Sequence, residues 1–158
     1  MAAVSRWVLL AYRIPREPST PRLAVWRKLK QLGVAQLHDG LVALPADSRN
    51  REQLEWLADE VLEAGGTASI WVGEPASVSQ ERELAAGLQS AIAQQYLAVT
   101  REARAAAAES TGRHRRTLAR LRRELGRIRR RDYFPPPERE QAKRAVHALA
   151  DALEEAAA

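Results

Sequence analysis

The sequence has no cysteine, one methionine and one phenylalanine among its 158 residues. Without thiols it forms no disulfide, no zinc–thiolate centre and no cysteine nucleophile. The lack fits a reducing compartment. Long apolar runs are missing as well. The strongest, residues 7–11, is too short for a secretory signal core and far short of the roughly 20 residues that span a bilayer. A cytoplasmic protein with no membrane contact is expected. There is no glycine-rich phosphate loop and no nucleophile elbow. His38, His114 and His147 are scattered, and the carboxylates form no obvious acid–base pair. His38 beside Asp39 has the polar character usual in a hairpin turn. Neither an enzymatic reaction nor a metal or other cofactor is expected.

What is present is an ample core composition, 46% hydrophobic, and an excess of positive charge, +5 with a pI near 10.2. The chain divides near Pro75, into residues 1–75 and a helical, arginine-rich region 76–158. In the first part, residues 7–14 read as a buried strand ended by Pro15. Ser19, Thr20 and Pro21 read as a hydroxyl cap and a first-turn proline. The helix they open has Leu23, Trp26 and Leu29 as its expected inward stripe, and Gly33 ends it. Asp39-Gly40 suits a tight hairpin turn between two short strands, the second being residues 41–44. Asn50 to Gln53 has capping-box spacing, and Leu54, Leu57, Val61 and Leu62 are expected inward on the helix that follows. Gly65-Gly66 stops it, and residues 67–72 form the last strand. Trp7 and Trp71 are expected as large core or sheet-face residues. The order strand, helix, strand, strand, helix, strand predicts an α+β, ferredoxin-like βαββαβ domain followed by a C-terminal antiparallel helical arm. That arm has a capping-box pattern at residues 77–80. A long helix then runs to about Ser110 with Leu84, Leu88, Ile92, Tyr96 and Val99 on one side, and Thr111-Gly112 breaks it. A second helix follows over residues 113–131 with Leu118, Leu121, Leu125 and Ile128 at coiled-coil-like spacing. After three prolines, a last helix carries Ala142, Val146, Leu149 and Leu153 inward.

The second of these helices holds Arg113, Arg115, Arg116, Arg120, Arg122, Arg123, Arg127, Arg129, Arg130 and Arg131 against the single acid Glu124. Like charges at helical spacing repel, so such a helix either faces acidic partners or is held by packing. Arginine favours bidentate contact with phosphate or carboxylate. Nineteen residues of helix span roughly 28 Å, about one turn of duplex DNA. The expected partner is double-stranded DNA, gripped through phosphates. The plainer reading is a solvated face neutralised within the chain by Glu81, Glu83, Glu102 and Glu109, or by Glu138, Glu140, Asp151, Glu154 and Glu155. A structural adaptor docking an acidic protein is a third reading.

A smaller basic group surrounds the first helix. Arg13 and Arg16 precede it, and Arg22, Arg27, Lys28 and Lys30 lie on it. A helix start with free N–H groups and nearby arginines holds oxyanions. Arg13, Arg16, Ser19 and Thr20 are therefore the candidate anion-binding residues, with a cap plus surface ion pairs through Glu17 as the alternative.

The stretches Tyr12-Arg13-Ile14-Pro15-Arg16-Glu17-Pro18-Ser19 and Ala24-Val25-Trp26-Arg27-Lys28-Leu29-Lys30 resemble the N-terminal domain of the ChrB family. So do Leu54-Glu55-Trp56-Leu57, Glu63-Ala64-Gly65-Gly66 and Arg131-Asp132-Tyr133-Phe134. The resemblance implies a chromate-responsive transcriptional regulator; the alternative is an oxyanion sensor without direct DNA binding, in which Arg13, Arg16, Ser19 and Thr20 hold chromate or sulfate. Members of the family carry a further C-terminal domain, so the resemblance implies the fold more directly than chromate sensing. The strand order is also similar to that of the middle domain of PaaX-type repressors and of the small CRISPR adaptation nucleases, a likeness of fold alone. Those nucleases place an acid at the end of the first strand, where Tyr12 and Arg13 stand here. Pairing of two copies through the sheet or the helices, as a homodimer, would set the spacing of DNA half-sites.

Overall fold

The computed structural model describes residues 6–109 and 114–158, so the expected break at Thr111-Gly112 lies outside the described residues, as does Arg113. The chain forms two compact units that divide between Gly87 and Leu88.

The first unit runs β1 (Trp7–Arg13), α1 (Ser19–Leu32), β2 (Ala35–His38), β3 (Leu41–Pro45), α2 (Ser48–Glu63), β4 (Thr67–Gly73) and the opening turns of α3 (Val78–Ala108). Its four strands form one sheet in the order β2-β3-β1-β4, with every neighbouring pair antiparallel. The mixed α and β character and the four-stranded antiparallel sheet are as the sequence predicts. β1 and β3 are the two central strands, and both are strongly apolar. Val8 pairs with Leu44 and Val72, and Leu10 pairs with Val42 and Ile70. Alternation puts these side chains on one face. Val8, Leu10, Val42 and Leu44 are buried there, and Val25, Leu29, Leu54, Leu57 and Val61 from α1 and α2 complete the core. Each such side chain contributes about 1.5–3 kcal/mol on burial.

Two glycines fix the far end of β1. Gly40, at φ 76°, turns the β2–β3 hairpin and accepts a hydrogen bond from Tyr12 N at 2.8 Å. A Cβ there would stand 2.3 Å from the Tyr12 carbonyl oxygen. Gly66, between α2 and β4, would bring a Cβ to 2.2 Å from the carbonyl oxygen of Arg13. Backbone approaches this close require glycine.

Several local expectations are corrected. Ser19 and Thr20 do not cap α1. Pro18 occupies the N-cap position and Ser19 already has helical geometry, so α1 has no side-chain cap. The Glu17–Pro18 peptide is cis. On α1 the buried pair is Val25 and Leu29, while Leu23 and Trp26 are half exposed. Val25 and Leu29 lie one turn apart and form the inward face, which turns Leu23 and Trp26 away from the core. α2 starts three residues earlier than its apparent capping box, because Asp47 accepts from Asn50 N at 2.7 Å. Asn50 is buried and donates from Nδ2 to the Pro45 carbonyl at 2.9 Å. Leu62 points outward. Trp7 is buried, but Trp71 is 63% exposed on the edge strand β4, its indole N–H donating to Ser69 Oγ. β1 ends at Arg13 rather than Ile14, β3 extends to Pro45 and β4 to Gly73.

The second unit consists of α3 beyond Gly87, α4 (His114–Arg130) and α5 (Glu138–Ala157). Ser77 Oγ accepts from Gln80 N at the start of α3, as its capping pattern predicts. Ile92, Tyr96, Val99, Ala103 and Ala106 of α3, Leu121 and Ile128 of α4, and Ala142, Val146 and Leu149 of α5 form one buried cluster, with Leu118 and Leu125 half buried beside it. Leu153 is half buried. Pro136, buried between its two neighbours in the triple-proline corner, precedes α5.

Candidate functional site

α4 is built by a seam and its opposite. His114, Leu118, Leu121, Leu125 and Ile128 recur at alternating steps of four and three residues and face the core. Arg116, Arg120, Arg123, Arg127 and Arg130 recur at the same steps on the side opposite, and Arg115, Arg122 and Arg129 form a second row. All eight are exposed. The like-charge neighbours along the first row cost a few tenths of a kcal/mol each. Burial of Leu121 and Ile128 returns about 1.5–3 kcal/mol each. Packing therefore holds the helix against its own repulsion.

Few of these charges are neutralised. Arg120 pairs with Glu102 of α3 at 2.5 Å, and Arg127 with Glu124 at 3.2 Å. Both pairs are largely exposed and weak in water. Among the described residues, Arg115, Arg116, Arg122, Arg123, Arg129 and Arg130 make no salt bridge. Of the acids of α5, Glu140 pairs with Lys143 and Asp151 with His147, both within the same helix. Among the described residues, the neutralising acids expected from the sequence thus reduce to Glu102.

Arg131 belongs to a different environment. Half buried, it donates from Nη2 to Gln95 Oε1 of α3 at 2.8 Å and from Nε to the Arg127 carbonyl at 3.4 Å. Burial lowers its guanidinium pKa from the usual value. These contacts tether the end of α4. Beside it, Tyr96 Oη donates to Asp132 Oδ2 at 2.7 Å, and Arg139 Nη1 lies 3.7 Å from the same oxygen. Burial and the Asp132 carboxylate push the Tyr96 hydroxyl pKa well up.

The second candidate lies in the first unit. A hollow of about 790 Å³ opens where β1 meets α1 and the β2–β3 turn. It brings together Arg13, Arg16 and Ser19 from the sequence-derived anion set, but Thr20 is not among the lining residues. Arg22 joins them from the first turn of α1, and Tyr12, Ile14, Leu23, Trp26, Gln36, Asp39 and Gly40 complete the wall. The Tyr12 hydroxyl pKa is raised by burial and by Asp39, and lowered in part by Arg22. Lys30 lies 4.4 Å from the centroid of the Trp26 ring, in cation–π geometry. Sequence reasoning missed Trp26 and Asp39. Sequence spacing places Trp26 on the core stripe of α1 and Asp39 in the hairpin turn, and only the tertiary fold carries both to the end of β1. Among the described residues no group of three or more His, Asp or Glu is placed to hold a metal ion, and no helix is long and apolar enough to cross a membrane.

The family model described as "Protein ChrB, N-terminal" matches residues 22–110, more than half of the sequence. The chain belongs to the ChrB family. A curated relative, Protein ChrB of Cupriavidus metallidurans, is 34% identical over 77 residues, which are 49% of this chain and 24% of that protein. The chain thus spans about a quarter of the length of that ChrB protein. No solved structure matches. The ChrB match takes in α1 from Arg22 onward, β2, β3, α2, β4 and α3. It includes Arg22, Trp26 and Asp39 of the hollow, whereas α4 lies beyond it.

Proposed function

We propose that this ChrB-family chain is a DNA-binding transcriptional regulator of the chromate-response type, with α4 as the element that grips DNA phosphates. The observation that carries the reading is the exposed double row of arginines on α4, six of them without a carboxylate partner among the described residues. At seventeen residues α4 is about 25 Å long, enough to follow several phosphates along a duplex. Guanidinium groups bind phosphate bidentately, and contacts of this kind fix position on the duplex without reading bases. The role in chromate response rests on the family. The βαββαβ order and the strand order β2-β3-β1-β4, antiparallel throughout, support reading the first unit as a ferredoxin-like module.

Reversing three charges, Arg120→Glu, Arg123→Glu and Arg127→Glu, tests the proposal by fluorescence anisotropy on a labelled duplex. Affinity is expected to fall at least a hundredfold while helical content stays unchanged. Full affinity in a folded triple variant contradicts the proposal.

The hollow favours a second activity in the same chain, recognition of an anion such as chromate or sulfate by Arg13, Arg16, Arg22 and Ser19. Charge convergence supports it: the three arginines share one concavity and, among the described residues, none has a salt-bridge partner.

A further inference from the structure

The hollow at the end of β1 has more room and a more varied wall than a bare oxyanion requires. Its volume of about 790 Å³ falls in the range of roughly 300–1,000 Å³ in which proteins hold organic ligands. A tetrahedral oxyanion would occupy a small part of it and leave the rest to water.

The wall carries two chemistries. Arg13, Arg16 and Arg22 supply three guanidinium groups, and Ser19 adds a hydroxyl. Leu23 and Trp26 supply an apolar, partly aromatic surface, and they are 48% and 49% exposed. Both sit on the solvent side of α1, whose core contacts are made by Val25 and Leu29. Their exposure is therefore not required for packing of the helix. The ammonium of Lys30 lies 4.4 Å from the centroid of the Trp26 ring, a weak cation–π contact at this exposed position. An aromatic side chain beside a cationic groove is the arrangement on which nucleobases stack.

Asp39 decides between ligand classes. It lines the same hollow from the β2–β3 turn, and its charge is felt together with that of Arg22 at the Tyr12 hydroxyl. A carboxylate there weakens, without cancelling, the pull of the three guanidinium groups on a bare oxyanion. It favours a ligand that has hydrogen-bond donors at a distance from its phosphate, as sugar hydroxyls and base amino groups are.

We propose that this hollow binds a nucleoside monophosphate, with the phosphate held by Arg13, Arg16 and Arg22, the base against Trp26 and Leu23, and a sugar or base donor on Asp39. The proposal rests on the anion reading of the hollow and is independent of the DNA reading of α4.

The test is calorimetry on the full chain with AMP, GMP, CMP and TMP, alongside adenosine, inorganic phosphate, sulfate and chromate. At least one nucleotide is expected to bind tenfold or more tightly than adenosine and than every inorganic anion. Arg22→Ala is expected to weaken that nucleotide at least tenfold. Trp26→Ala, at an outward position, is expected to remove the advantage of nucleotide over phosphate while leaving phosphate affinity as it was. The α4 triple charge reversal is expected to leave nucleotide binding unchanged. Equal affinity for inorganic anion and nucleotide, or an unchanged nucleotide affinity in Trp26→Ala, overturns the nucleotide assignment and leaves the anion reading. Heat from none of the probes overturns both.

Discussion

Single residues set the geometry that the rest of the molecule uses. Gly40 is the clearest case. Its positive φ and the 2.3 Å that would separate a Cβ from the Tyr12 carbonyl oxygen leave no room for a side chain. Gly40→Ala is expected to destabilise the first unit by more than about 1 kcal/mol and to displace the β2–β3 turn that carries Asp39. Urea unfolding monitored by tryptophan fluorescence checks the first effect. Tyr96 is the counterpart in the second unit. Its hydroxyl donates to the buried Asp132 carboxylate, so Tyr96→Phe is expected to cost about 2 kcal/mol. Burial, and then this bond, raise the pKa of Tyr96 above its ordinary value of 10.0. The unfolded chain therefore releases this proton first as pH rises. The contribution is fully present below pH 10 and declines above it. Thermal unfolding followed across that range should show a steeper alkaline loss in the native chain than in Tyr96→Phe.

The elements differ in how far the sequence declared them. α4 was legible in nearly full detail, because a seam of Leu and Ile set against arginine leaves only one way to orient a helix. The hairpin at Asp39-Gly40 was equally plain, since only a turn uses that pair between apolar strands. α1 was harder. Leu23, Trp26 and Leu29 make as good a stripe as Val25 and Leu29, and hydrophobicity favours the wrong one. What leaves Trp26 outward is that α1 packs through Val25 and Leu29, a tertiary fact. The hollow was half visible for the same reason. Arg13, Arg16 and Ser19 are near in sequence, but Asp39 reaches them only through the β1–β3 pairing. For α4 the two faces make opposite predictions. Leu121→Ala should cost about 2–5 kcal/mol by opening the core. Arg123→Gln should change stability by less than about 0.5 kcal/mol and should weaken DNA binding. Paired denaturation and binding curves on the two variants test this. A large stability loss in Arg123→Gln would mean that the guanidinium serves packing rather than a partner.

At the scale of the whole molecule, the formal charge of +5 understates the local field. Thirteen of the twenty acids lie on α2, α3 and α5 and only Glu124 on α4, which carries eight exposed arginines. An uneven distribution of this kind attracts polyanions at distances comparable to the Debye length, and salt screens it. Neutralisation of phosphates also releases condensed counterions, and the number released can be counted from the salt dependence. The most direct test is therefore a salt titration of duplex DNA binding by the purified chain between 50 and 200 mM. If α4 contacts about six phosphates, the logarithmic slope is near −5 and affinity falls by about a thousandfold over that range. The slope should shrink by about two to three in the Arg120, Arg123 and Arg127 charge reversal wherever residual binding is measurable. Binding that changes less than about fivefold over the same range, or a slope that the reversal leaves intact, would contradict an arginine-mediated phosphate grip.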